Sequence, residues 1–307
     1  MRALVIGGNG FIGSHLVDRL VDDNWQVTVL DLYERRYDPI PESVRFIRGD
    51  LSQAYLIREA LVGVDVVFHL AWATIHEVAN QDPSADVNAN LMPSLQLIET
   101  AHHANVKRFV FPSSGGTVYG PVKTLPIHET YPKRPINAYG VTKLAFEKYL
   151  HMYHHLHGFD YAVVRPSVPF GPRQNPLGRQ GAPAIFMHRI AHEQPIAIWG
   201  DGRISRDYFY ISDLVDALVA CGTRPLDEQR IFNIGGTEEV TLLDLIAAIE
   251  QTVGKKANID FHPARDFDAP RIVLDTGRAR EYLGWSPQVS LADGLAHTWA
   301  WMSKTVD

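Results

Sequence analysis

The sequence predicts an α/β fold in which helices cover both faces of a parallel sheet and a smaller C-terminal α/β lobe follows. Over the first two thirds of the chain, short apolar runs rich in β-branched residues alternate with longer segments of helical periodicity. This alternation is typical of strand-helix units that wind into one sheet. The runs are almost continuously apolar, as strands are when helices bury both faces of their sheet. The sheet is therefore predicted to be doubly wound.

The first part of the chain contains the elements of this sheet. Strands are predicted at residues 3–6, 26–30, 44–47, 64–69, 108–112 and 161–165. Helices are predicted between them at residues 11–21, 53–61, 84–104 and 138–156.

After Val168 the pattern becomes irregular. Prolines and glycines recur up to Arg206, which predicts loops and short elements over a ligand cleft. A strand at 208–210, a helix at 212–222 and a strand at 230–234 are expected to return to the main sheet. The remaining chain predicts helices at 241–253, 276–283 and 291–302 and a strand at 257–261. We therefore divide the chain into residues 1–167, to which 207–235 returns, and a second domain, mainly 168–307.

The composition limits the classes of function. The chain has 307 residues, of which 46% are hydrophobic and 21% charged, as in soluble globular proteins. It lacks the ~20 consecutive apolar residues of a membrane span. With a net charge of −6 and no basic stretch interleaved with aromatics, a nucleic-acid polymer is not an expected partner. The single Cys221 excludes an internal disulfide and suits the reducing cytoplasm.

A glycine-rich turn follows the first strand directly. Gly7, Gly10 and Gly13 form a GxxGxxG pattern, in which glycine lets the backbone approach a pyrophosphate at the N-terminus of the next helix. Asp31 ends the second strand, 18 residues beyond Gly13, where a carboxylate accepts hydrogen bonds from both ribose hydroxyls and repels a 2′-phosphate. The pattern predicts a Rossmann-type domain that binds NAD in preference to NADP. Arg35 and Arg36 either soften this preference or belong to a solvated loop.

Two further strand ends are expected at the cofactor. Asp50, after the third strand, is placed near the adenine amino group, and Leu70 and Ala71, after the fourth, near the pyrophosphate and nicotinamide ribose. The full set of predicted cofactor-binding residues is Gly7, Gly10, Phe11, Ile12, Gly13, Asp31, Asp50, Leu51, Leu70, Ala71, Trp72, Ser113, Tyr139, Lys143 and Pro166.

A phenol and an ammonium are spaced for catalysis. Tyr139 and Lys143 lie four residues apart in a predicted helix and so share one face. An adjacent ammonium and an oxidised nicotinamide stabilise a phenolate and lower its pKa, so Tyr139 is predicted to take a proton from a hydroxyl whose carbon gives up hydride. The alternative is a surface lysine beside a half-buried tyrosine. Ser113 and Ser114 follow the fifth strand, at the sheet edge where such folds bind ligands.

Together these patterns resemble the extended short-chain dehydrogenase/reductases, and within them the NAD-dependent sugar epimerases of the UDP-glucose 4-epimerase type. The resemblance covers nearly the whole chain. Its motifs are the glycine turn, Asp31, His69-Leu-Ala71, Asn90, the loop from Ser113 to Gly120 with Tyr119, Tyr139-x-x-x-Lys143, Arg206-Asp-Tyr208, Asn233-Ile-Gly235, Arg265-Asp266 and Leu283-Gly-Trp285.

The resemblance implies a tightly held NAD, a 4-keto sugar intermediate and inversion of C4 of a nucleotide sugar, with UDP the expected carrier. It implies that Arg206 and Arg265 clamp the diphosphate, the alternative being surface ion pairs with Asp207 or Asp266. It also implies a homodimer formed through helices 84–104 and 138–156. The predicted substrate-binding residues are Ser114, Gly115, Arg206, Arg265, Gln174 and Arg179.

Three positions depart from the family pattern. Gly115 stands where many relatives have serine or threonine, so Ser114 is predicted as the catalytic hydroxyl, with Thr117 as the alternative. Val168 replaces an asparagine that helps to seat the diphosphate, and Trp72 replaces a small residue beside the cofactor.

Rival functions follow from the same residues. A nucleotide-sugar 4-ketoreductase needs the same trio and differs in exchanging its cofactor, and a catalytically silent NAD-sensing module would have lost the Tyr139/Lys143 pair. Gly116 and Thr117 disfavour dehydratases and decarboxylases, which use an acidic residue there. No metal is expected, because the histidines near His151 lack accompanying carboxylates or cysteines.

Overall fold

The computed structural model describes residues 1–265 and 269–306. Its strands, in chain order, are β1 (Arg2–Ile6), β2 (Gln26–Asp31), β3 (Arg45–Arg48), β4 (Val66–His69), β5 (Arg108–Pro112), β6 (Tyr161–Pro166), β7 (Val168–Phe170), β8 (Pro195–Trp199), β9 (Ser205–Arg206), β10 (Tyr208–Tyr210), β11 (Ile231–Ile234), β12 (Val240–Thr241), β13 (Asn258–His262) and β14 (Arg271–Ile272). Its α-helices are α1 (Phe11–Asp22), α2 (Ala54–Ala60), α3 (His76–Gln81), α4 (Pro83–Asp86), α5 (Met92–His103), α6 (Ala138–His157), α7 (Ala182–Ala191), α8 (Ile211–Thr223), α9 (Leu242–Val253), α10 (Gly277–Leu283) and α11 (Leu291–Thr305).

The main sheet has seven parallel strands in the order β11-β6-β5-β4-β1-β2-β3. The direction of winding reverses between β1 and β4, whose residues pair from Ala3 with Val66 to Ile6 with His69. In open α/β sheets, ligands bind at the carboxyl ends of the strands beside such a reversal. The fold therefore places a crevice directly above Gly7 and Leu70, as the doubly wound prediction requires.

Two apolar layers cover the sheet. One contains Leu16 of α1, Leu214 of α8 and Leu283 of α10, all at most 1% exposed. The other contains Ile57 of α2 and Phe146 of α6, both fully buried. Helix α6 shares this face with α2 and α5, and its opposite side exposes Val141 and Leu156.

The C-terminal lobe has its own core. Helices α7, α9 and α11 contribute Met187, Leu245 and Leu295, which are fully buried. Strand β8 pairs with β13, and β9 lies between β12 and β14. The chain passes from the carboxyl end of β6 into this lobe through β7, which begins directly after Ser167.

Three elements differ from the sequence predictions. The helix expected at 84–104 is broken into α4, a π-helical turn at Val87–Leu91 and α5, because Pro93 has no backbone N–H to continue an α-helical ladder. Strand β10 was expected in the main sheet but pairs with β7, whereas β11 does return and pairs with β6. The region 168–206, expected to hold loops and short elements, includes the ten-residue helix α7. The domain division at residue 167 stays a prediction.

A buried ion pair joins α6 to the sheet. Arg165 of β6 is 1% exposed, and its Nε donates to Glu147 Oε1 over 3.0 Å, while Nη2 lies 2.5 Å from Oε2. Its Nη1 donates to Tyr119 Oη at 2.8 Å, and that hydroxyl donates to Asn233 Oδ1. A buried pair of this kind adds little relative to an apolar pair, but removing one partner leaves a buried charge uncompensated.

We therefore predict that Arg165→Met lowers the free energy of unfolding by about 3–5 kcal/mol, as measured by urea denaturation. The control is Arg45→Met, which breaks the exposed pair of Arg45 with Glu59 and is expected to cost less than about 1 kcal/mol. Equal losses in the two variants would contradict this account.

Candidate active site

The glycine turn has the close packing that only glycine permits. Gly7 has φ +78°, and a Cβ on Gly13 would lie 2.1 Å from the Gly7 carbonyl oxygen. A Cβ on Gly10 would have only that oxygen within 4 Å, at 3.4 Å. The turn leads directly into α1, which begins at Phe11, so unpaired N–H groups and the positive end of the helix dipole are available to a pyrophosphate. The local backbone fits NAD.

Asp31 lies at the adenosine end of this region. Its Oδ2 accepts from Asn9 N at 2.9 Å and its Oδ1 from Tyr33 N at 3.1 Å, so each oxygen retains acceptor capacity for a ribose hydroxyl. Asp31 lines a cavity of 520 Å³ together with Asp50 and Leu51. The structure thus brings these three predicted cofactor residues to one wall.

Arg35 does not lie in a solvated loop. Only 4% of its side chain is exposed, Nη1 lies 2.7 Å from Asp18 Oδ1, and Nη2 donates to the Ser14 carbonyl at 3.0 Å. Arg36 is exposed and lines the 520 Å³ cavity. The charge of Arg35 is therefore paired with Asp18, whereas Arg36 lines the cavity that contains Asp31.

A second cavity, of 610 Å³, adjoins the first. The two share Gly7, Gly10, Leu70, Trp72 and Ala73, so these residues lie where the adenosine end meets the reacting end. Predicted residues lining the second cavity are Phe11, Ile12, Gly13, Ser113, Ser114, Tyr139, Lys143, Pro166, Gln174 and Arg206.

Lys143 is buried in an aromatic setting. Its side chain donates from Nζ to the Pro112 carbonyl at 2.8 Å, and Nζ lies 3.9 Å from the Trp72 ring centroid and 4.5 Å from that of Phe111. Burial lowers the pKa of Lys143 to about 7. The ring faces stabilise the ammonium. Because Lys143 is only 4% exposed, the alternative of a surface lysine is excluded.

Tyr139 lies one helical turn before Lys143 and lines the same cavity. Its ring centroid is 5.7 Å from Lys143 Nζ and 6.4 Å from the Trp72 ring. In the protein alone, burial raises the pKa of Tyr139, and the Asp86 charge adds to this effect. The lowering predicted from the sequence included the charge of an oxidised nicotinamide, and it stays a prediction for the NAD-bound protein.

The loop after β5 supplies hydroxyl groups to this cavity. Ser113, Ser114 and Thr117 all line it. The Oγ of Ser113 and the Oγ1 of Thr117 are buried without a hydrogen-bond partner among the described residues, an arrangement that suits a polar ligand. Gly115 instead faces away from the cavity wall, since a Cβ there would meet Leu274 at 2.4 Å.

The predicted substrate residues divide into two groups. Arg206 and Gln174 line the 610 Å³ cavity, and the Oε1 of Gln174 is buried without a hydrogen-bond partner among the described residues. Arg179 is exposed and lies outside the wall of this cavity. The Arg265 guanidinium lies 3.5 Å from the Trp199 ring centroid, and Asp266, considered as its ion-pair partner, lies outside the described residues.

Several cavity residues were not predicted. Asn9 lies inside the glycine motif, and its backbone N–H orients Asp31. Thr74 and Ile75 follow Trp72 in the larger cavity, where Asn137 and Gln180 also lie. The motif itself was a signal for Asn9, but the others sit in irregular segments with no pattern that marks them.

Residues 1–265 and 269–306 contain no group of three or more His, Cys, Asp or Glu side chains placed to hold a metal ion. None of the helices described combines the length and apolar character that crossing a bilayer requires.

A doubly wound sheet with a glycine turn, a terminal acid on β2 and a buried Tyr/Lys pair on one helix define an extended short-chain dehydrogenase/reductase. The model of the NAD dependent epimerase/dehydratase family matches residues 3–235. The chain belongs to this family, which confirms the family and the NAD cofactor expected from the sequence.

Two relatives match this chain over nearly their whole length. The chain is 39% identical to UDP-glucose 4-epimerase of Mycolicibacterium smegmatis over 97% of each chain. It is also 33% identical to dTDP-4-dehydro-6-deoxyglucose reductase of Escherichia coli, over 95% of this chain and 94% of the relative. Among solved structures, UDP-glucose 4-epimerase of Thermotoga maritima with UDP-glucose superposes with a TM-score of 0.95 at 34% identity over 100% of both chains. This agreement confirms the predicted fold class.

The glycine turn generates a prediction. Gly10→Ala is expected to lower the affinity for NAD at least tenfold, because the new methyl group occupies the approach of the pyrophosphate at the start of α1. The fold is expected to tolerate it, since the Cβ makes only an ordinary contact at 3.4 Å. Isothermal titration calorimetry with NAD measures the affinity.

The control is Gly116→Ala, whose Cβ has only Ser114 Oγ within 4 Å, at 3.9 Å. We expect its NAD affinity to stay within about twofold of the parent, because the change lies away from the glycine turn. A Gly10→Ala protein with unaltered NAD affinity would place the pyrophosphate elsewhere.

Proposed function

We propose that this protein inverts C4 of a UDP-linked sugar by removing and returning a hydride at that carbon. The observation that carries the proposal is the single cavity lined by the glycine turn, by Tyr139 and Lys143 and by the hydroxyls of Ser114 and Thr117. Bound NAD supplies the hydride acceptor and donor. The protein must then supply proton transfer, orientation and exclusion of water.

Tyr139 is the group that moves the proton. As the phenolate, Tyr139 takes the proton of the C4 hydroxyl while that carbon loses hydride, and the resulting phenol gives the proton back when the opposite face is reduced. Lys143, held by Pro112, favours the phenolate as a neighbouring positive charge. Ser114 is proposed as the hydroxyl that hydrogen-bonds the reacting oxygen, and Thr117 is the alternative.

Arg206 is proposed to bind the diphosphate of the carrier. It lines the cavity, and a guanidinium is well suited to phosphate oxygens. Arg265 is proposed to act with it. Its position on the Trp199 ring combines a cation with an aromatic surface, which suits a nucleotide. The solved neighbour with UDP-glucose supports UDP as the carrier.

A 4-ketoreductase is the second candidate, because a reductase of a 4-keto sugar nucleotide is among the full-length relatives. The two functions use the same protein groups and differ in the fate of the hydride. An epimerase returns it to the same sugar and needs only catalytic NAD, whereas a reductase consumes NADH or NADPH stoichiometrically.

Proton NMR distinguishes the two candidates. Incubation with UDP-glucose, UDP-N-acetylglucosamine or UDP-glucuronate and catalytic NAD is expected to yield the C4-inverted sugar from at least one of them. Tyr139→Phe should reduce the rate by about 10²–10⁴-fold, the usual contribution of general acid-base catalysis. The control is Tyr149→Phe, an exposed position on the same helix, which should retain the parent rate.

No inversion of any UDP sugar, together with stoichiometric NADH or NADPH consumption by a 4-keto sugar, would instead establish the reductase. The same experiment identifies the sugar, because the three substrates differ at C2 and C6.

We further propose that the protein is a homodimer and acts in the cytoplasm. The outer face of α6 exposes Val141, Tyr149, Met152 and Leu156 by 37–61%, and a continuous apolar face of this kind is typical of a protein interface. The exposed Met92 of the neighbouring α5 extends it. The single buried Cys221 supports a reducing compartment.

The double variant Met152→Asp/Leu156→Asp is expected to convert the dimer to a monomer, because it buries two charges at the centre of the proposed interface. Size-exclusion chromatography with light scattering measures the mass. Val62→Asp, at a 75% exposed position in the turn after α2, is the control and should remain dimeric. A monomeric parent protein would refute the assembly.

A further inference from the structure

Asp86 is a fully buried carboxylate to which the proposed reaction assigns no role. It is the last residue of α4 and has 0% exposure. Three neutral side chains donate to it: the hydroxyl of Thr74 and Nδ2 of Asn90 to Oδ1, the latter at 2.9 Å, and Oγ1 of Thr142 to Oδ2 at 2.5 Å. Donors around both oxygens replace the hydrogen bonds to water that a buried carboxylate loses.

The three donors come from three segments that border the site. Thr74 lines the larger cavity, and Asn90 lies in the π-helical turn and lines the smaller one. Thr142 lies on α6, between Tyr139 and Lys143. Asn90 Oδ1 also accepts from Ala73 N at 2.6 Å. One carboxylate therefore connects the segment after β4, the π-turn and the catalytic helix.

The position of Asp86 also has an electrostatic consequence. Burial is the largest influence on both pKa values, raising that of Tyr139 and lowering that of Lys143, and the Asp86 charge acts upward on each of them. The other ionisable groups at this pair are Glu147, which also raises the pKa of Lys143, and His69, whose pKa burial lowers to about 3, so that it is neutral. A negative charge here favours the ammonium and opposes the phenolate.

We propose that Asp86 is a positioning residue that fixes the start of α6 against the 73–74 segment and, together with Glu147, supplies negative charge that favours the ammonium form of Lys143. Its effect on catalysis rests on the proposed function, but its effect on Lys143 does not. The titration of Lys143 in the protein without substrate therefore tests the inference separately.

The test is Asp86→Asn, which keeps the shape of the side chain and removes its charge. Lysine is labelled with ¹³C at Cε, and the Lys143 resonance is identified by its absence from Lys143→Met. Because burial brings the pKa of Lys143 to about 7, its midpoint is measurable in the folded protein. We expect Asp86→Asn to lower this midpoint by about one pH unit.

Asp213→Asn is the matched control. Asp213 is likewise buried, at 1% exposure, but lies on α8 and accepts from Val289 N. This variant is expected to lose stability and to leave the Lys143 midpoint unchanged. An unchanged midpoint in Asp86→Asn, or an equal shift in both variants, would overturn the proposal.

Thr142 provides a second route if Asp86→Asn does not fold. Thr142→Val removes the hydroxyl that joins α6 to Asp86 and is expected to lower the Lys143 midpoint by a smaller amount, whereas Thr142→Ser keeps it. Equal midpoints in these two variants would also overturn the proposal.

If a UDP sugar is inverted, the pH profile of kcat in Asp86→Asn should move to lower pH, because both Tyr139 and Lys143 then lose their protons more readily. If none of the sugars reacts, the Lys143 titration still tests the effect of Asp86, because it is measured without substrate.

Discussion

The burial of the Lys143 ammonium is the constraint on which the site depends. An ammonium removed from water is strongly disfavoured unless other groups replace its hydration. Here the Pro112 carbonyl accepts from it at 2.8 Å and the ring of Trp72 lies 3.9 Å from Nζ. Trp72, a departure from the family pattern, is thus part of the lysine's surroundings. Because these groups come from β5, the segment after β4 and α6, the three elements must keep one register, and Tyr139 is placed with them.

A second buried charge holds the middle of the same helix. Glu147, one turn after Lys143, pairs with Arg165 of β6, and Arg165 also donates to Tyr119. Tyr119 then donates to Asn233 of β11. Besides adding an edge strand to the main sheet, β11 therefore anchors the end of the loop after β5 through this hydrogen bond. The buried ion pair and hydrogen bonds of Arg165, in addition to apolar packing, therefore align the loop after β5 with α6.

Much of this arrangement was predictable because it depends on local spacing. The turn from Gly7 to Gly13 and the four-residue interval from Tyr139 to Lys143 have fixed consequences in a strand-helix unit. The break before α5 was missed, although Pro93 lies in the middle of the helix predicted at 84–104, where a proline interrupts the backbone hydrogen bonds. Gly115 was taken for a ligand contact, although its position against Leu274 depends on packing between distant segments. The partners of Asp86 likewise meet only after folding.

The preference for NAD also depends on more than Asp31. A carboxylate at the end of β2 repels a 2′-phosphate, but nearby arginines would oppose this effect if their charge faced the cofactor. Arg35 is instead paired with Asp18 at 2.7 Å, and Arg173 with Asp18 and Asp38, both at 2.6 Å. Of the nearby arginines, Arg36 is the one that lines the cavity containing Asp31. Since Asp18 lies on α1 and Arg173 on the loop after β7, the ion pairs of Asp18 join the helix that follows the glycine turn to the segment after β7.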